Sequence, residues 1–308
     1  MNSRQLKIIA IVLAVAVLLY LPRVFRNEEG SGSVGAGDGF RFRLSDPIVR
    51  VDIIVQEEGD TIRLERDPAG WKVDGYAADE AKVDDLLGVL PDLASDQLVA
   101  RNPANHPQMG LAGERGRRIE VYTEAGGPLA FLLGDRDLTA GGYYVRSPDA
   151  EAVFRLESPA GGYLGRDRDG WRPRTIASVD TAGVREILLR REGDEVVLRR
   201  DDAGWRVDGA AVDSVTAAGL LRVLSSLSAT GFPTPEEESA ADFSEPDASL
   251  DVFAEGEGDV TDRTLVLSLR LIEDAERGDW LVRRADGTEV YRLAEYTVRS
   301  LLPEDLLP

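Results

Sequence analysis

Val49, Val51, Ile53 and Val55 alternate with Arg50, Asp52 and Gln56, and only Ile54 breaks the pattern. A period of two puts one set of side chains on a buried face, so this stretch reads as a half-buried strand. Glu57-Glu58-Gly59-Asp60 is a turn signal, and Ile62 and Leu64 then alternate with Thr61, Arg63 and Glu65 as a second strand. Asp67-Pro68-Ala69-Gly70 follows as a tight turn, because proline presets φ and glycine tolerates the closing position. Trp71 and Val73 point the same way from a third strand, and the short connections make the three an antiparallel meander. The period then changes. Val83, Leu86, Leu87, Leu90 and Ala94 fall on one helical face, with Asp79 placed to cap the start and Pro91 to end it.

The same pattern occurs a second time. Leu64 to Gly75 recurs as Leu198 to Gly209, with nine of twelve positions identical at an offset of 134 and the rare Trp71 and Trp205 in register. Ala217, Leu220, Leu221, Leu224 and Leu227 repeat the apolar helical face, with Asp213 at its cap. Later stretches agree more loosely: Glu120-Val121-Tyr122 with Asp251-Val252-Phe253, and Val153 to Leu156 with Val290 to Leu293. Strand-like runs at 129–133, 143–146, 264–271 and 280–283 lie between them. The expected fold class is therefore α+β. An N-terminal transmembrane helix precedes two tandem repeats, each a mainly antiparallel sheet with a packed helix. Residues 1–27 form the anchor, 28–46 a flexible Gly/Ser linker, 47–172 the first repeat and 173–308 the second. Trp171 to Asp180 joins the copies, and Pro233 to Asp247, with Glu236-Glu237-Glu238, reads as a mobile acidic loop.

The anchor rests on Ile8 to Leu21, fourteen residues without a charge, preceded by Arg4 and Lys7 and followed by Arg23 and Arg26. The run is somewhat short for a bilayer of ~30 Å, and flanking Lys7 and Arg23 can snorkel to lengthen it. A cleaved signal peptide is the competing reading, although Tyr20 to Phe25 offers no small-x-small cleavage site. The expected place is the bacterial inner (cytoplasmic) membrane, single-pass, with the bulk of the chain extracytoplasmic or periplasmic. Residues 30–39, rich in glycine and serine, would tether the folded part.

Charge narrows the partners. The net charge of −20 repels phosphate backbones, so nucleic acid is not an expected partner. The chain has no cysteine, which removes disulfides, thiolate metal sites and cysteine nucleophiles together. Its only histidine, His106, sits in a proline-flanked loop with no Gly-x-Ser-x-Gly elbow to supply a nucleophile, and is expected to be structural. Glu255, Glu257, Asp259 and Asp262 carry an alternation that suits Ca²⁺ but miss the helix-loop-helix calcium pattern, so a solvated loop is expected. No glycine-rich phosphate loop is present. Trp71 and Trp205 have the shape to stack on sugar rings, but their equivalent places beside Val73 and Val207 mark them as core. No catalytic residue, metal ligand or cofactor is assigned.

Several short motifs resemble the bacterial family called domain of unknown function 4340. They are Trp71, Leu86 to Leu90, Met109-Gly110-Leu111, Leu132-Leu133-Gly134, Tyr143-Tyr144-Val145-Arg146 and Val153-Phe154-Arg155-Leu156. Two departures stand out: Ala112 follows the Gly-Leu step where the family often has an acid, and the second copy keeps no Leu-Leu-Gly. The resemblance implies a membrane-anchored protein, often encoded near ABC-type exporters related to gliding motility, and no catalytic residues. The expected function is a membrane-anchored extracytoplasmic binding or scaffold protein, an accessory to an ABC-type transport system with a membrane-protein partner. The alternative is an envelope polysaccharide-binding protein or carboxylate-based glycoside hydrolase. That alternative needs exposed rings, such as Tyr143, Tyr144 or Trp171, in a groove.

Overall fold

The computed structural model describes residues 33–35, 38–55, 60–112, 116–256, 263–303 and 305–306. The anchor expected over residues 1–27 lies outside them. Among the described residues no helix is long and apolar enough to cross a membrane. Chain contacts divide the protein into two compact units, Met1–Arg172 and Pro173–Pro308.

The first unit runs β1 (Ser33–Gly35), β2 (Phe40–Arg43), β3 (Ile48–Val55), β4 (Thr61–Asp67), β5 (Gly70–Val73), β6 (Tyr76–Ala77), α1 (Glu80–Val89), β7 (Asp92–Ser95), β8 (Leu98–Ala100), β9 (Arg117–Thr123), β10 (Gly126–Arg136), β11 (Tyr143–Arg146), β12 (Val153–Leu156) and α2 (Ala160–Leu164). Nine strands make one sheet in the order β6-β5-β4-β3-β9-β10-β11-β12-β8, with every pairing antiparallel. The meander therefore has a fourth strand, β6, that the alternation did not show. It is made by Asp74-Gly75, where Val73 pairs with Tyr76 across two residues at positive φ (49° and 89°), the tight hairpin an Asp-Gly dipeptide favours. The inward face of the sheet buries Val51, Ile53, Leu64, Trp71, Val73, Ile119, Val121, Phe131 and Leu133 in one core with Val83 and Leu86 of α1 and with Leu90, which caps its C-terminus. Asp79 caps α1, its Oδ1 accepting from the Lys82 backbone N–H at 3.4 Å.

The second unit runs β13 (Thr175–Ala177), β14 (Val184–Arg191), β15 (Asp194–Asp201), β16 (Gly204–Val207), β17 (Ala210–Ala211), α3 (Ser214–Ser225), β18 (Leu227–Ser228), α4 (Pro235–Ala240), β19 (Ala248–Glu255), β20 (Arg263–Asp274), β21 (Asp279–Arg284), β22 (Val290–Ala294) and α5 (Glu295–Leu301). Its sheet order, β17-β16-β15-β14-β19-β20-β21-β22, is the first unit's order strand for strand, without a counterpart of β8. Asp213 caps α3, accepting from Val215 and Thr216 N–H groups at 2.9 and 3.2 Å. Trp205 and Trp71 are both core residues.

Three expectations change. The linker drawn over 28–46 contains β1 and β2, and β2 buries Phe40 and Phe42 completely, with both rings edge-on to Phe131. The repeat thus begins at β2: Arg41 pairs with Ala94, and Thr175 with Ser228, each residue 134 positions from its counterpart. The boundary between the units, at Arg172–Pro173, falls within 171–180; in that stretch Trp171 is fully buried and Thr175–Ala177 is β13. Ala94 and Leu227, placed on helical faces by their spacing, belong to strands β7 and β18. Within 233–247, the expected mobile loop carries α4, closed by a capping box between Thr234 and Glu237.

Candidate functional site

In each unit a segment packs a small apolar plug onto part of the outward face of the sheet. In the first unit, residues 101–111 carry Leu111 onto Ala100, Leu132 and Val153, with Met109 and Tyr144 at the margin. In the second, Phe243 sits on Leu281 and Val290, with Ile272 and Ala241 beside it. Val153 and Val290, like Tyr144 and Leu281, are 137 positions apart, so the two plugs occupy the same place in the repeat. Beside them an ion pair recurs at that spacing: Arg155 Nη1 to Asp137 Oδ2 at 3.8 Å, and Arg292 Nη1 to Asp274 Oδ2 at 3.1 Å.

Arg292 is the centre of the second plug. Only 6% of its side chain is exposed, and it also binds Asp279 Oδ1 at 2.5 Å and Glu237 Oε2 at 2.8 Å. The Arg292 guanidinium, aided by the Thr234 N–H, holds Glu237 down from its ordinary 4.5 to about 2. His106 has a comparable structural task in the first unit: it is buried, its Nε2 lies 3.0 Å from the Glu151 carbonyl oxygen, and its own carbonyl accepts from Met109 and Leu111.

Beyond the plug, each outward face carries a lattice of ion pairs. In the first unit Asp52, buried, is bridged by Arg50 Nε at 3.4 Å and Arg63 Nε at 3.0 Å. The hydrogen bond that Arg63 donates to Asp52 raises the Arg63 pKa. Arg50 lies over the Tyr122 ring at 3.5 Å. Glu120 accepts from Arg118 at 2.7 Å and from the Tyr122 hydroxyl at 3.0 Å; burial pushes its carboxyl up, but these bonds outweigh it and the net shift is downward. In the second unit Glu186 lies between Arg199, at 2.9 Å, and Arg263. Asp251 lies between Arg190 and Arg270, each at 3.1 Å, and accepts from Ser268 at 2.6 Å. Burial raises Asp251, and those bonds again carry it below the ordinary value. Asp52, Glu186 and Asp251 are each held by two arginines, which lowers the cost of burying a carboxylate and leaves the lattice locally cationic.

A family model described as Domain of unknown function (DUF4340) matches residues 71–246. The chain belongs to the DUF4340 family. No curated protein and no solved structure matches it. The match starts in β5 and ends before β19, so it draws on both units of this DUF4340 protein.

The motif residues of the resemblance are explained by packing. A Cβ on Gly134 would stand 2.2 Å from the Met109 carbonyl oxygen and 2.9 Å from Leu111, so Leu-Leu-Gly exists to let Met109-Gly110-Leu111 lie directly on β10. The second unit has Ile272 in this region, beneath Phe243, and needs no such approach. Tyr143 lies over Gly161, where a Cβ would meet its ring at 2.2 Å. A shallow trough of about 320 Å³ runs past Gly134, Arg117, Arg136 and Tyr143. Trp171 is fully buried, so it supplies no sugar-stacking platform. Glu255 pairs with Arg185 at 2.5 Å; Glu257, Asp259 and Asp262 lie outside the described residues. Among the described residues no group of three or more acidic or histidine side chains is placed to hold a metal ion.

Proposed function

We propose that this DUF4340 protein is a membrane-anchored extracytoplasmic binding or scaffold protein, serving as an accessory to an ABC-type transport system. The observation that carries this reading is the outward sheet face of each unit: on both, buried carboxylates are held between arginines in a fixed lattice, though by different residues, which suits a rigid recognition surface. The uncharged run Ile8 to Leu21, flanked by basic residues, supplies the attachment. The mechanism is positional. Confinement beside a membrane partner raises the effective concentration of the two units without new contacts.

Fractionation with alkaline extraction tests the attachment: the full chain should stay with the membrane, and Leu13→Asp with Leu18→Asp should release it. Affinity purification from detergent extracts, with and without crosslinker, tests the partner. Recovery of a permease or its ATPase supports the reading. Extracts that yield no membrane protein under either condition sink it.

A further inference from the structure

The two units form an internal comparison, since one fold appears twice with different outward residues. In the first unit Asp52 faces Arg63 across β3 and β4, and Arg50 faces Tyr122 across β3 and β9. The equivalent pairs in the second unit are Leu188 facing Val197 and Glu186 facing Phe253. An ion pair in one copy is thus an apolar cross-strand pair in the other. Leu265, 52% exposed, faces Phe253 from β20 and extends the stripe. Leu188, Val197 and Phe253 are half-buried, and Arg263 lies over the Phe253 ring at 5.2 Å. Around this stripe stand Arg190, Arg199, Arg263 and Arg270, divided between Glu186 and Asp251, with Glu195 taking a second bond from Arg190.

Nothing in the fold requires that apolar stripe, because the first unit builds the same strands with charges there. Leu265 stands exposed beside the half-buried Phe253, Leu188 and Val197, and an aromatic ring framed by arginine with no lysine present matches the enrichment of protein interfaces. The arginine surplus, in a chain of net charge −20, selects an acidic surface. Bilayers and nucleic acids carry extended negative charge and meet the repulsion of the whole chain; a compact acidic patch on a protein meets only the arginines within a Debye length of ~8–10 Å.

We propose that the outward face of the second unit's sheet, centred on Leu188, Val197, Phe253 and Leu265, docks a partner protein through an acidic patch with an apolar centre. This deepens the binding reading above and rests on it. The test places a photo-crosslinking residue at Leu265 in the full chain, in its native membrane, and at Leu138 of the first unit, 91% exposed, as a control. Position 265 is expected to give a protein adduct about tenfold more abundant than position 138. The crosslinked partner peptide should contain several Asp or Glu residues. Arg199→Glu with Arg263→Glu should cut the adduct about tenfold, a change of ~1.4 kcal/mol, and lysine in place of the partner's acids should restore it. Because that double change also strips Glu186 of both its partners, Leu265→Glu serves as the second variant, read by loss of co-purification with an unchanged melting temperature. Equal adducts at both positions, an adduct to lipid, nucleic acid or a second copy of this chain, or a protein adduct indifferent to charge reversal would each overturn the proposal. If a membrane protein co-purifies while position 265 stays silent, the face is wrong and the scaffold reading survives; if neither is found, both fall.

Discussion

Replacing Arg292 with methionine should be among the most damaging single changes in the second unit. The side chain is nearly enclosed and is shared by three carboxylates, Glu237 at 2.8 Å, Asp274 at 3.1 Å and Asp279 at 2.5 Å, of which Glu237 also pairs with Arg277 at 3.1 Å. Methionine keeps much of the volume and removes the charge, so the acids face one another across a partly dry site. Breaking one side of a buried pair costs ~3–5 kcal/mol. For a unit of this size ~1 kcal/mol moves Tm by ~3 °C, so calorimetry should show a loss of ~10–15 °C in one transition. The penalty should also depend on pH. The folded-state value of Glu237 is depressed from 4.5 to about 2, so its bonds with Arg292 and the Thr234 N–H stabilise the fold fully above pH 4.5, and that part is lost as pH falls towards 2. The full shift corresponds to ~3 kcal/mol; solvent screening of a side chain 27% exposed reduces it to ~1–2 kcal/mol. Wild type and variant should therefore differ most at pH 6–7 and draw together by about pH 2. A loss under 1 kcal/mol at pH 7, or a gap that widens in acid, would refute the reasoning.

Three further changes probe other parts of the fold. Phe42→Ala should cost ~3–5 kcal/mol and sharpen proteolysis near residue 40, since the ring is fully buried against Phe131; an inert substitution would mean that β2 is not part of the core. Gly134→Ala should unseat the 101–111 segment, because the new Cβ collides with the Met109 backbone carbonyl; the expected loss is ~1–3 kcal/mol with faster amide exchange at Leu111. Asp213→Ala removes the acceptor for two N–H groups of α3 and should cost ~1 kcal/mol by denaturant midpoint.

Much of this architecture is written locally. Period-two alternation located β3 and β4, the change to helical spacing located α1 and α3, and Asp79 and Asp213 announced their starts. The repeated Trp71 and Trp205 marked equivalent core positions in two units. What the pattern could not show was long-range. Phe40 and Phe42 sit beside a Gly/Ser-rich run, and only the contact with Phe131, some ninety residues away, makes them core. The 233–247 segment looked mobile because its charge is high; Arg292, distant in sequence, is what holds it. Asp74-Gly75 was a legible hairpin signal that the alternation count passed over. The outward lattice was invisible for another reason: Asp52, Glu186 and Asp251 are ordinary acids among 56, and strand register is what brings Arg63 to Asp52 and both arginines to Glu186 and to Asp251.

The seating of β2 in the core moves the start of the first folded unit forward. β1 (Ser33–Gly35) pairs with β2, and β2 in turn pairs with β7, so ordered pairing begins well before residue 47. A truncation begun at residue 47 would strip Phe131 of both rings that pack on it and leave β7 an unpaired edge, so an excised first unit has to keep Phe40 and Phe42.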